Sequence, residues 1–181
     1  MTRSSARRAL VPSALGLAVL TACVVNLDFS YTISGQAVQA LETSNTINSA
    51  IVIDFSGQPD IQAHKSSIES LSLTALDMTV SAVQTDNTIE TVTGTLSLRP
   101  DGATDASQDV LVGSLTAFPI TLGSGIHLVG SSALDAFALA TVQGTERCTA
   151  IISGTTTGGF TADFSVDLQL TMSMGYDASE L

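Results

Sequence analysis

The chain of 181 residues carries 17 acidic against six basic side chains, a net charge of −11, and two cysteines. Three of the six basic residues lie within the first eight positions, and the three scattered cations beyond them cannot neutralise a track of phosphates, which excludes nucleic acid as a partner. Two cysteines cannot build a disulfide framework, so stability must come from a packed core, and with no Trp and few aromatics that core is drawn from Val, Ile, Leu, Ala and Thr.

The first element in chain order is an export signal. Arg3, Arg7 and Arg8 precede the apolar run from Ala9 to Leu20, which is too short for the roughly 18 apolar residues that span a bilayer. The run closes on Leu20-Thr21-Ala22-Cys23, with Leu three residues before Cys. This resembles the lipobox of bacterial lipoproteins, and the resemblance covers Met1 to Cys23. It implies that the Cys23 thiol receives a diacylglycerol, that residues 1–22 are removed as a lipoprotein signal peptide, and that the new amino group can be acylated too. Palmitate-type chains at ~0.8 kcal/mol per buried methylene would hold the protein on a membrane without any protein span. In enterobacterial lipoproteins an Asp after that Cys favours the inner membrane; Val24 stands there, which implies the outer membrane. The alternative is an ordinary signal that leaves Cys23 a thiol.

Residues 23–181 then form one domain of 159 residues, enough to bury its own core. Loss of the three signal arginines leaves Lys65, Arg99 and Arg147 against all 17 acids, a net charge of −14. Anionic headgroups repel such a domain, so membrane affinity would come from the acyl chains. Cys148 is left without an intrachain partner.

Along this domain, Val25, Leu27, Phe29, Tyr31 and Ile33 alternate with polar residues directly after the anchor and predict a strand. Further strands are expected over Ala50–Phe55, Leu71–Val83, Thr88–Leu98, Val110–Ala117, Gly125–Val129 and Thr145–Ser153. The longest alternation runs from Phe160 to Met174, with one dry and one wet face. Within Leu71–Val83 the apolar parity changes, which predicts a bulge near Ala75. Asp86-Asn87 and Arg99-Pro100-Asp101-Gly102 read as turns, and Gly154–Gly159 as a loose hairpin. Residues 35–49 and 100–108 read as long polar loops. Pro59 opens a short helix to about Ser67. A second helix follows Ser131 or Ser132, places Leu134, Phe137, Ala138 and Thr141 on one face, and stops at Gly144. Both helices are expected to cover an end or edge. The fold class is therefore mainly β, an antiparallel sandwich or barrel of about eight strands with two short helices.

Catalysis finds little to work with. A serine hydrolase needs a base beside the hydroxyl and a group orienting that base. His64 and His127 are the only candidate bases, no Gly-x-Ser-x-Gly elbow accompanies either, and Gly123-Ser124-Gly125 reads as a turn. Two histidines and one distant thiol do not supply zinc ligands. Asp101, Asp105 and Asp109 share one polar loop, but their spacing of four misses the alternating ligands of a calcium loop. They read as a solvated acidic loop, with calcium as the alternative. Cys148 reads as a small buried strand residue, and Met172 and Met174 as core fillers rather than a ligand pocket. No catalytic, cofactor or metal residue is assigned. The expected role is a non-catalytic binding or structural module of the cell envelope, tethered through Cys23 and facing an envelope protein, a glycan or an apolar ligand. Two alternatives are a carrier of lipid or small apolar ligands, with a cavity between sheets, and an envelope hydrolase.

Overall fold

The computed structural model describes residues 24–41 and 45–180. Cys23 and residues 1–22, where the export signal is expected, lie outside the described residues. Eight strands form two antiparallel sheets of four: β1 (Val24–Leu41), β2 (Thr46–Asp54), β3 (Ile68–Val83), β4 (Ile89–Pro100), β5 (Val110–Pro119), β6 (Gly125–Val129), β7 (Arg147–Gly158) and β8 (Thr161–Asp177). One sheet has the order β1-β8-β3-β6 and the other β2-β7-β4-β5. First pairs with last, second with seventh, third with sixth and fourth with fifth, as if one long hairpin had been rolled up. That is the jelly-roll arrangement of a double-sheet sandwich.

Alternation explains why these segments pair this way. In β8, Ala162, Phe164, Val166, Leu168, Leu170, Met172 and Met174 are all buried, and each of those larger than Ala contributes about 1.5–3 kcal/mol when taken from water. They meet Ile47, Ile53, Leu96, Leu98 and Ile152 from the opposite sheet in one contiguous core. A bulge at Thr74, next to Ala75, shifts β3 against β8 between Leu73 and Ala75, so that Leu71 and Leu73 before it and Leu76, Met78 and Val80 after it are all buried.

Three expected boundaries move. Residues 35–49 are mostly strand: β1 continues to Leu41 past a register shift between Ile33 and Gln36. Gly35 absorbs the extra residue with φ +63°, a conformation glycine adopts without strain. The shift changes parity and sends Val38 into the core at 0% exposure, which is why period-two reading stopped at Ile33. The alternation of β2 likewise begins at Thr46, burying Ile47 and Ser49. At the other end, Gly154–Gly158 continues β7, leaving Gly159 and Phe160 as the turn. Phe160 is exposed there and not part of the dry face.

The helices close what the strands leave open. The first, α1 (Pro59–His64), extends as a 3-10 turn through Ser67 and buries Ile61. The second, α2 (Ser132–Gln143), is capped by Ser131 and ends at Gly144, whose N–H donates to the carbonyls of Ala140 and Thr141. Because β6 pairs with β3 only over Ala75–Thr79, the remaining edge of β3 needs cover. There Leu73 N donates to Asp135 Oδ1 at 3.1 Å and Gln143 Nε2 to the Ile68 carbonyl at 3.3 Å, fixing α2 against it.

The two ends of the sandwich therefore differ. One carries the turns after β3, β5 and β7, tied by Thr88 N to Thr161 O and Ile120 N to Glu90 O. The other carries both helices, the start of β1 and the end of β8; His64 of α1 stacks on Tyr176 of β8 with ring centroids 3.9 Å apart.

Candidate functional site

Strand register places outward side chains in cross-strand rows, and the two outer faces have different chemistry. On the β1-β8-β3-β6 sheet one row is Asp28–Ser173–Ser72 and another Thr32–Gln169–Asp77–His127. Asp167 lies beside Thr79, and Asp163 beside Gln39. No Lys or Arg stands among these described positions. Asp167 accepts from Gly35 N at 2.7 Å, and Asp77 contacts His127 Nδ1 at 2.7 Å.

On the β2-β7-β4-β5 sheet the rows are Thr46–Thr155–Thr93, then Asn48–Ser153–Thr95–Ser114, then Ala50–Ile151–Ser97–Leu111. Beyond them come Val52–Thr149–Arg99 and Asp54–Arg147. Thr157 and Thr91 close the far end, their hydroxyls 2.7 Å apart. The charges on this face cancel. Arg99 grips Asp109 through Nε at 2.6 Å and Nη2 at 2.8 Å, and Arg147 stands 3.5 Å from Asp54. Lys65, the remaining cation among the described residues, pairs with Glu146 near the helical end.

The acidic loop is structural in its contacts. Asp109 is engaged by Arg99, whose hydrogen bonds hold its carboxyl below the usual range. Asp105 caps the 3-10 turn Ala106–Gln108 by accepting from Ser107 N at 2.8 Å, which lowers its pKa in turn. Asp101 instead lines a cleft of about 220 Å³ with Pro100, Phe137, Ala140 and Arg147. The three carboxylates thus point to separate tasks, and among the described residues no group of three His, Cys, Asp or Glu side chains is placed to hold a metal ion.

Neither histidine hydrogen-bonds to a hydroxyl or thiol among the described residues. His127 is paired with Asp77 on open surface, and His64 lies flat on Tyr176 with a buried Nδ1 that has no partner. Ser124 turns its hydroxyl toward Thr121, 2.6 Å away, within the loop joining β5 to β6. Cys148 is 1% exposed; burial, and then the charge of Asp101, push its thiol up to about 12, so it is protonated and unreactive at neutral pH. Met172 and Met174 are core side chains.

The neutral outer face was not visible in the sequence as a unit. Its signal was the Ser/Thr alternation of Thr46–Val52, Thr91–Arg99 and Thr149–Thr157, which reads as ordinary solvated strand until pairing sets the segments side by side.

No protein-family model matches the chain, and no curated protein matches it. Among solved structures it is similar to the decameric BFDV capsid protein, at 15% identity and a TM-score of 0.42 over 84% of this chain and 99% of that one. A Desmodium yellow mottle tymovirus structure gives 12% identity and a TM-score of 0.39 over 96% and 97%. Turnip yellow mosaic virus gives 13% and 0.34 over 97% and 91%. Likeness at this level carries no argument, and the topology stands on the strand pairing itself.

Proposed function

We propose that this chain is a bacterial cell-envelope lipoprotein, acylated at Cys23 and placed in the outer membrane, and that its domain acts by binding or scaffolding rather than by catalysis. One observation carries the reading: β1 begins at Val24, the residue after Cys23, and the Val24 and Val25 side chains are exposed at the helical end of the sandwich. An acyl chain on Cys23 would therefore seat that end at the bilayer with no flexible spacer. The acidic outer face, with Asp28, Asp77, Asp163 and Asp167, disfavours contact with anionic headgroups, so the lipid supplies the attachment.

The histidine geometry and the buried, protonated Cys148 favour a non-catalytic role. The carrier alternative is disfavoured because side chains of both sheets meet in one contiguous core where a ligand would have to lie. Labelling with radioactive palmitate tests the anchor. The wild-type chain takes up label and fractionates with outer membranes, whereas Cys23→Ala does neither. An unlabelled wild-type chain, or a labelled Cys23→Ala chain, overturns the reading.

A further inference from the structure

We propose that the outer face of the β2-β7-β4-β5 sheet is a self-association surface and that its occupant is a second copy of this chain. In a protein of net charge −11, two copies repel wherever uncompensated carboxylates meet. The other outer face carries four aspartates and no Lys or Arg among its described positions. The turn-bearing end adds Asp86 and Glu90, and the helical end Asp60 and Asp177. Only the threonine-rich face has its charges cancelled, by Arg99–Asp109 and Arg147–Asp54. A copy of itself meets this face without the row of unpaired aspartates that the opposite face presents.

Its chemistry also suits burial. Val52 and Leu111 are 49% and 55% exposed on the two edge strands of this sheet, with Ile151 and Ser97, 6% and 8% exposed, on the strands between them. In the rows toward the turn-bearing end the hydroxyls are engaged within the face, Thr91 with Thr157, Thr155 with the Thr93 carbonyl, and Thr93 with Ala117 N, and polar groups satisfied in this way cost little to desolvate. At strand spacings of about 4.8 Å and row spacings of about 6.7 Å, the face offers roughly 600 Å² per copy. About 1,200 Å² in total lies at the lower edge of specific interfaces, which sets a weak, micromolar dimer.

A two-fold axis along the strands leaves both copies of Val24 at the same end, and anchoring in one membrane raises the local concentration. That clause rests on the lipoprotein reading; the face itself does not.

Sedimentation velocity of the full chain in nonionic detergent, between about 1 and 100 µM where interfaces of this size dissociate, reads the equilibrium. The expected result is a reversible monomer–dimer equilibrium, weakened at least about tenfold by Thr95→Asp and by Val52→Asp but left unchanged by Thr32→Asp on the opposite face. Thermal melts of each variant confirm that it is folded, and Val52→Asp serves if Thr95→Asp fails to fold. A monomer throughout the range, a dimer indifferent to both face variants, or one equally weakened by Thr32→Asp overturns the proposal. A dimer without palmitate label would remove the anchor alone, and a labelled monomer would remove the dimer alone.

Discussion

The two sheets turn nearly identical faces inward and opposite faces outward. Inside, both supply alternating aliphatic side chains to one core. Outside, the β1-β8-β3-β6 sheet carries aspartates with no cation among the described positions, while the β2-β7-β4-β5 sheet carries threonine and serine with cancelled charges. A core demands only that apolar side chains recur every second residue, so it leaves the intervening positions free. What a sandwich does to its surroundings is therefore written on positions that contribute little to its folding.

The largest effects test the inner equivalence. Leu96→Ala in β4 and Leu168→Ala in β8 remove side chains that are each 0% exposed, and each should lower unfolding free energy by about 2–5 kcal/mol in urea titrations. A loss confined to one sheet would break the symmetry.

Next comes a constraint peculiar to the neutral sheet. Gly94 and Gly154 face one another across β4 and β7, and a Cβ on Gly94 would lie 2.0 Å from the Ser153 carbonyl oxygen. Gly94→Val must push the strands apart, at a cost of about 1–3 kcal/mol in the same titration. It should weaken the proposed dimer as well, since the rows of that face shift with the strands.

Acid separates the faces by a smaller amount. Hydrogen bonds from Arg99 lower the folded pKa of Asp109. Its contribution is thus fully present above the ordinary Asp value of about 3.9 and is lost as pH falls through the lowered folded value. Melting temperature followed downward from about pH 5 should fall less steeply for Asp109→Asn than for wild type, because the variant has already lost that carboxylate. Equal slopes would mean the Arg99 pair gives no pH-dependent stability.

The smallest effect lies on the acidic face. Ser30→Lys, two residues from Asp28 on the same side of β1, should change stability by no more than about 0.5 kcal/mol. The change should be stabilising and fade in high salt, as read from urea midpoints at two ionic strengths.

Much of the fold was legible because period two survives wherever a strand has one wet face. The Ala162–Met174 run, the bulge next to Ala75, and the Ser131 and Gly144 limits of α2 all follow from local chemistry. The losses share one cause. At Gly35 an extra residue reverses parity, so the second half of β1 resembles a polar loop until its pairing with β8 shows Val38 in the core. The candidate sites were harder to read because charges cancel in space. Arg99 and Asp109 are ten residues apart in sequence, and Asp54 and Arg147 are joined only by the pairing of β2 with β7. Spacing in sequence could place Asp101, Asp105 and Asp109 in one loop, but it could not assign each to a different partner.

The sealed thiol of Cys148 makes the molecule its own clock. A maleimide cannot reach that sulfur until β7 separates from its neighbours, so the rate of slow labelling counts openings of the sandwich. Any sulfhydryl left bare at Cys23 would react in an initial burst, whereas a thioether-linked lipid would remove the burst. A single time course would thus report the tether from its amplitude and the core from its tail.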